Sequence, residues 1–358
     1  MPSNNNQAIN EFNQQVKPVS LWADAWKRLR KNRMALLGLW IIVIMAAITV
    51  AAPILPLYDY TKLDLYHSNL PPSFRTAGAV ALTTMQARID KIQGLINEGR
   101  TDLQADLDKT KADYAKVEAD ILTNPAEKRV YLLGTDYLGR DMLARTIYGG
   151  RISMMVGLIG TVTAVLLGIL FGAVAGYTGG RLDNLLMRFV DIMYGLPYML
   201  IVIIMMSMFR KEGASSIVIL FIAIALVSWL DIARVVRGQI ISLKNSEFVE
   251  AARSMGASSG RIIFRHLLPN TLGVIIIFTT LLLPSFIMSE SFLSFLGLGV
   301  SAPDASWGTL VSEGVQAMEL YPWRLLVPAI AMTIFLFAMN FLGDGLRDAL
   351  DPQSKNRA

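Results

Sequence analysis

Residues 247–270 read EFVEAARSMGASSGRIIFRHLLPN, a polar stretch set between two long apolar runs. Asn245 or Ser246 offers an N-cap oxygen, Glu247 and Glu250 lie where a helix start favours negative charge, and Gly256 suits the C′ position. Ser258 or Ser259 offers a second cap, Arg261 and Arg265 make the next helix basic along one side, and Pro269 is expected to end it. The pattern predicts two short helices at an angle. By itself it leaves open whether they dock a partner or merely join two apolar segments.

The surrounding composition narrows the class. Of 358 residues, 53% are hydrophobic and 17% charged, and the mean hydropathy is +0.46. That is too apolar for a soluble domain and describes an integral membrane protein. There are no cysteines, and the two histidines, His67 and His266, are far apart in the chain. Disulfides and thiolate metal sites are excluded, and neither a metal centre nor Cys/His catalysis is expected. A net charge of +5 follows from Lys and Arg gathered on the cytoplasmic side and needs no nucleic-acid partner.

Working outward, residues 1–33 read as a polar tail followed by an interfacial helix. Leu21, Trp22, Ala25, Trp26 and Leu29 fall at helical spacing, and Lys27, Arg28, Arg30, Lys31 and Arg33 face anionic lipid. Residues 34–57 carry no charge and form the first span, and no signal peptide is visible. Five further spans are expected at Ile152–Ala175, Val190–Phe209, Ser216–Ile232, Thr271–Ser289 and Leu325–Leu342. The 152–345 core thus contains a cytoplasmic loop over 233–270, and 346–358 is read as a tail. Gly157, Gly160, Gly168, Gly172 and Gly176 would permit close helix contact, while Pro197, Pro284 and Pro328 would kink or break their helices.

Between the first two spans, segment 58–151 contains a soluble stretch. Met85, Ile89, Ile92 and Ile96, then Leu103, Leu107, Thr110, Tyr114, Val117 and Ile121, predict an extracytoplasmic helical hairpin over about 82–123. Short-loop charges set the orientation. Arg181, Arg188, Arg234, Arg237, Lys244, Arg253, Arg261, Arg265 and Arg347 fall inside, against only Arg210, Lys211 and Arg324 outside. Both termini are then cytoplasmic, and so is the 247–270 stretch.

The chain has no GxxxxGK[ST] loop for ATP, no Ser-His-Asp set and no paired glycosidase-like carboxylates. GTDYLGRD at 134–141 is better read as a turn than as a calcium loop. Asp191, Asp231 and Glu290 lie at the margins of apolar runs and are expected to be interfacial, which weighs against a proton-coupled carrier.

Glu250-Ala251-Ala252, three residues, Gly256, then Leu268-Pro269 resembles the EAA signature of ATP-binding-cassette importer permeases. His266 stands where that signature usually has isoleucine, and RHLLPN resembles the peptide-importer branch. LGTDYLGRDMLAR, YGGRISMMVG, GYTGGRLDNLLMR, SWLDIARVVRGQ, ESFLSFLGLG, SWGTL and GDGLRDALDP extend the resemblance along almost the whole chain. They are similar to the oligopeptide and dipeptide permease family, C-type subunit. The long external hairpin departs from that family.

The resemblance implies an all-α membrane protein with six transmembrane helices of the type I importer permease fold, in the bacterial cytoplasmic membrane. It implies a sister permease, two ATP-binding subunits and an extracytoplasmic peptide-binding protein as partners. ATP and magnesium would reside in the partner subunits, and this chain would bind no cofactor and catalyse nothing. Docking would fall to Glu250, Ala251, Ala252, Arg253 and Gly256, supported by Arg261, Arg265, His266 and Pro269. A same-family importer of nickel or another small solute, and a secondary transporter, are the competing readings.

Overall fold

The computed structural model describes residues 21–121, 123–209 and 216–350. The expected tail at 1–19, Arg210, Lys211 and the last eight residues lie outside the described residues. Among the described residues there is no β-strand, only an isolated bridge between Thr135 and Asp141.

Helix α1 (Leu21–Leu29) leads into α2 (Arg33–Ala51), whose start is fixed by Asn32 Oδ1 accepting from Met34 N and Ala35 N at 3.1 and 3.2 Å. The hairpin follows as α3 (Ala77–Asn97) and α4 (Gln104–Asp120). It begins at Ala77 rather than Leu82, and Ile89, Ile92 and Leu107 are buried along its seam. Among the described residues, five unbroken helical rods are long and apolar enough to cross a membrane: Arg33–Ile54, Met142–Thr178, Val218–Leu243, Ser259–Phe295 and Trp323–Leu350.

The second rod is α5 (Met142–Thr178), a single helix in which the YGGRIS lead-in is continuous with the span. The expected third span is not one straight helix. It is a pair, α6 (Gly180–Gly195) and α7 (Tyr198–Phe209), bent by 79°. Pro197 stands at the bend, where it can neither donate to the ladder nor leave Leu196 helical; Leu196 is extended. Pro284 and Pro328, by contrast, are buried inside unbroken helices, where packing holds the chain helical across the missing hydrogen bond.

The fourth span also departs from expectation. α8 (Ser216–Ser228) gives way at Trp229 to α9 (Leu230–Leu243), and the two form one 26-residue rod, Val218–Leu243. After α10 (Glu247–Ser254) comes α11 (Ser259–Phe295), then α12 (Trp307–Val315) and α13 (Trp323–Leu350). Residues 346–350 are therefore helical rather than tail.

Glycines decide how closely the rods approach. A Cβ on Gly168, Gly172 or Gly176 would come within 2.4 Å of Ile232 Cγ2, 2.5 Å of Ala233 O and 2.9 Å of Arg237 O respectively. The stripe on α5 therefore seats α9 backbone against backbone. Elsewhere in the bundle α2 lies against α13. A Cβ on Gly38 would be 2.5 Å from Ala338 O, and one on Gly345 would be 2.2 Å from Ala35 Cβ. Leu29, Ala35 and Ala349 close a small buried cluster there. Trp307 fills the space between α5 and α13, its ring 5.5 Å from that of Phe335 and its Nε1 donating to Thr146 O at 2.9 Å.

Candidate functional site

The 247–270 stretch forms the predicted first helix, but its ends are made differently. Ser246 takes the N-cap position in extended conformation, yet its hydroxyl donates to Leu243 O at 2.6 Å instead of capping α10. The exit is a Schellman turn. Gly256 has φ +80°, Gly256 N donates to Arg253 O and Ala257 N to Ala252 O, both at 3.0 Å. Ser258 is the second cap, with its Oγ accepting from Arg261 N at 3.4 Å.

Pro269 does not end the second helix. Residues Ile262–Leu267 adopt a π turn, Leu268 N donates to Ile263 O, and the rod runs on to Phe295. The wider turn ahead of the proline relieves the clash that its ring would make with a preceding carbonyl, and Asn270 Nδ2 satisfies His266 O at 2.7 Å. The loop is thus one free-standing helix hinged by Gly256 onto the end of a span.

Its faces sort the predicted residues. Glu250, Ala251, Arg253, Gly256, Arg261, Arg265 and Pro269 are exposed, and His266 is half-buried. Ala252 is not on the open face. At 2% exposure it packs with Val249, Ile240, Ile262 and Leu267, so its small side chain lets α10 lie close to its own span rather than enter a partner. Sequence reasoning missed three exposed apolar side chains beside the charged ones, Phe248, Met255 and Phe264. Their interruption of an otherwise polar surface was the available signal.

The loop is tied back to the bundle at several points. Lys244 Nζ donates to Gly176 O at 3.2 Å, at the end of α5. Arg237 grips Asp183 of α6 with two hydrogen bonds, and Arg234 Nη2 meets Asp191 Oδ1 at 2.7 Å while its guanidinium lies 3.8 Å above the Tyr194 ring. None of these pairs is local in sequence.

The carboxylates expected at span margins are placed otherwise. Because α8 and α9 make one rod, Asp231 stands near the middle of Val218–Leu243, where it accepts the Tyr194 hydroxyl. Glu290 is fully buried within α11, and its Oε1 accepts from Ser294 at 2.8 Å and from Ser306, the N-cap of α12. The apolar runs end before the helices do, because the polar-faced α9 continues α8 and α11 runs on past Ser289. A cavity of about 360 Å³ opens beside Asp231 at the α6–α7 bend.

Far from the loop, the GTDYLGRD turn carries a buried charge network. Asp136 receives Arg140 Nε at 2.7 Å and Arg145 Nη1 at 2.6 Å, and the same Arg145 nitrogen reaches Glu313 at 2.9 Å. His67 Nε2 lies 3.0 Å from Glu127, and Nδ1 lies 3.0 Å from Asp64 but outside hydrogen-bond geometry. Burial opposes charge on this imidazole, but its contacts with Asp64 and Glu127 prevail and raise its pKa, while the same contact lowers that of Asp64. Asp141 caps α5 by accepting from Leu143 N and Ala144 N; burial pushes its carboxyl up to about 6. The His67 nitrogens face separate carboxylates, and no group of three or more potential ligands converges on a metal position among the described residues.

Residues 168–356 match the family described as binding-protein-dependent transport system inner membrane component, and residues 20–72 match the N-terminal transmembrane domain of oligopeptide transport permease C. The chain belongs to the binding-protein-dependent transport system inner membrane components: it is a multi-pass membrane permease. Among curated relatives it is 37% identical to the oligopeptide transport system permease protein OppC of Escherichia coli, over 98% of each chain. It is 38% identical to the dipeptide transport system permease protein DppC of Bacillus subtilis, over 97% of this chain and 91% of that one. Among solved structures, an inward-facing MetNI methionine ABC transporter aligns over 59% of this chain and 98% of that chain, with 18% identity and a TM-score of 0.48.

Proposed function

We propose that this chain is the permease subunit of an ATP-driven importer that takes up oligopeptides or dipeptides across the bacterial cytoplasmic membrane. The relatives' names supply the substrate class. The observation that carries the coupling role is α10. It is a short helix with Glu250, Ala251 and Arg253 exposed, hinged at Gly256 and held to the bundle by Val249 and Ala252 on its other face. Such a helix presents a narrow surface to an ATP-binding subunit while staying rigidly joined to two spans.

In this reading a sister permease completes the pathway, an extracytoplasmic binding protein delivers the peptide, and two ATP-binding subunits dock below. Both termini and the 247–270 loop are cytoplasmic, and the 77–120 hairpin is outside. ATP-driven closure pushes α10, and α9 passes the displacement to α5 through the glycine stripe and to α6 through Arg237. The chain transmits work, hydrolyses nothing and needs no cofactor of its own.

The test is ATP-dependent peptide uptake by the reconstituted assembly. Gly256→Pro combined with Glu250→Lys is expected to abolish uptake. Uptake by this chain without ATP-binding partners, or undiminished uptake by the double variant, overturns the proposal.

A further inference from the structure

We propose that the cavity at the α6–α7 bend is a binding site for the ammonium group of a peptide amino terminus in transit, with Asp231 as its counter-charge. This rests on the peptide reading above. The location is the first support: Asp231 stands near the middle of the 26-residue rod Val218–Leu243, at the junction of its apolar and polar halves. Here it faces a space of about 360 Å³.

Local charge is the second support. Arg234, one turn along α9, is committed to Asp191 and to the face of Tyr194. Asp231 receives only the neutral Tyr194 hydroxyl. The group formed by Asp191, Arg234 and Asp231 therefore carries one uncompensated negative charge, and it is the one that borders the cavity.

Neighbouring hydroxyls are the third. Ser228 is 7% exposed, lines the same cavity, and its Oγ has no hydrogen-bond partner. An ammonium has three N–H donors and no acceptor, so it needs several oxygens at once. Asp231, Ser228 and the lining hydroxyls of Tyr198 and Ser289 provide them. The rest of the wall, including Leu196, Val227, Leu282 and Phe286, is apolar and would accept a side chain without selecting among them.

The chain contains no cysteine, so a label found on this subunit reports an introduced thiol alone. Ser228→Cys would be placed in the assembled transporter and its labelling by a small methanethiosulfonate followed with trialanine or N-acetyl-trialanine present. Trialanine is expected to slow labelling about tenfold, the acetylated peptide not at all, and Asp231→Asn should remove the protection, as loss of a charge-assisted hydrogen bond implies. Equal protection by both peptides, or by neither, overturns the site. Uptake of trialanine by the wild-type assembly separates the two readings. If uptake proceeds without protection, the site alone falls; if the wild type moves no peptide, the peptide reading falls and takes the site with it.

Discussion

Arg237 and Asp183 meet through two parallel hydrogen bonds, Nε to Oδ1 at 2.6 Å and Nη2 to Oδ2 at 2.8 Å, although 54 residues separate them. The pair clamps α9, which ends at the coupling loop, to α6, whose far end is the bend at Pro197. A bidentate guanidinium–carboxylate contact fixes direction as well as distance. In the proposed coupling this pair is the link that carries movement of α10 to α6.

Breaking that clamp should separate hydrolysis from transport. Arg237→Ala in the reconstituted assembly is expected to lower uptake about tenfold while leaving ATP hydrolysis within about twofold, since a charged hydrogen-bond pair contributes about 1.5–3 kcal/mol. Exchanging the partners, Asp183→Arg with Arg237→Asp, should recover part of the loss. Parallel loss of both activities would assign the pair to folding instead.

The opposite faces of α10 should respond oppositely to bulk. Ala252→Leu overfills a buried contact and is expected to cost about 1–3 kcal/mol of stability, seen as a lower Tm of the isolated subunit in detergent. Ala251→Leu is exposed and should leave Tm unchanged while weakening co-purification with the ATP-binding subunits. A drop in Tm for both variants would mean that the helix has no free face.

Gly172→Val tests the seat of α9. A Cβ there would sit 2.5 Å from Ala233 O, against backbone that cannot turn aside. Expression of a folded subunit should fall sharply, whereas Gly238→Ala, where a Cβ meets nothing within 4 Å, should be neutral. Normal assembly of Gly172→Val would show that α5 and α9 can separate.

The outer lobe should loosen as the medium becomes alkaline. His67 has a folded pKa raised above about 6.5, so its contribution is complete below that value and is lost as pH rises through the folded pKa. Asp141, raised to about 6 by burial, acts in the same direction between about 4 and 6. Asp64 works oppositely: its lowered pKa gives stability present above about 4 and lost on acidification. Hydrogen exchange in 77–120, corrected for its intrinsic pH dependence, should therefore accelerate as pH rises above about 6.5, and His67→Gln should flatten the change. Identical protection across that rise would leave the imidazole without a structural role.

Replacing residues 82–123 by a short linker should leave binding of the ATP-binding subunits intact, because the buried contacts of the hairpin are with Tyr58, Leu70 and Tyr131, away from the 247–270 loop. Loss of that binding would reverse the proposed topology.

Much of this was legible in the chain. Apolar runs marked the long helical rods, the Ser258 cap and the Gly256 exit were readable as local chemistry, and the seam of the hairpin followed its heptad. Long-range pairing was not. Nothing near Asp183 names Arg237, and nothing near Ala252 says which side of its helix is covered. Asp231 falls inside a rod because α9 continues the apolar α8 as a polar-faced helix, and its Arg234 and Arg237 find their partners, Asp191 and Asp183, on α6.

The contact between Ala35 and Gly345 has one more consequence. It joins the beginning of the first long rod to the end of the last, so those two helix ends lie on the same side of the bundle. A chain that starts and finishes on one side crosses an even number of times. Five unbroken rods among the described residues are an odd number, so the proposed topology, with both termini cytoplasmic, requires the bent pair α6–α7 to supply a sixth crossing. On that proposal the 79° bend belongs to a path that goes all the way through the membrane and not to a loop that dips in and returns.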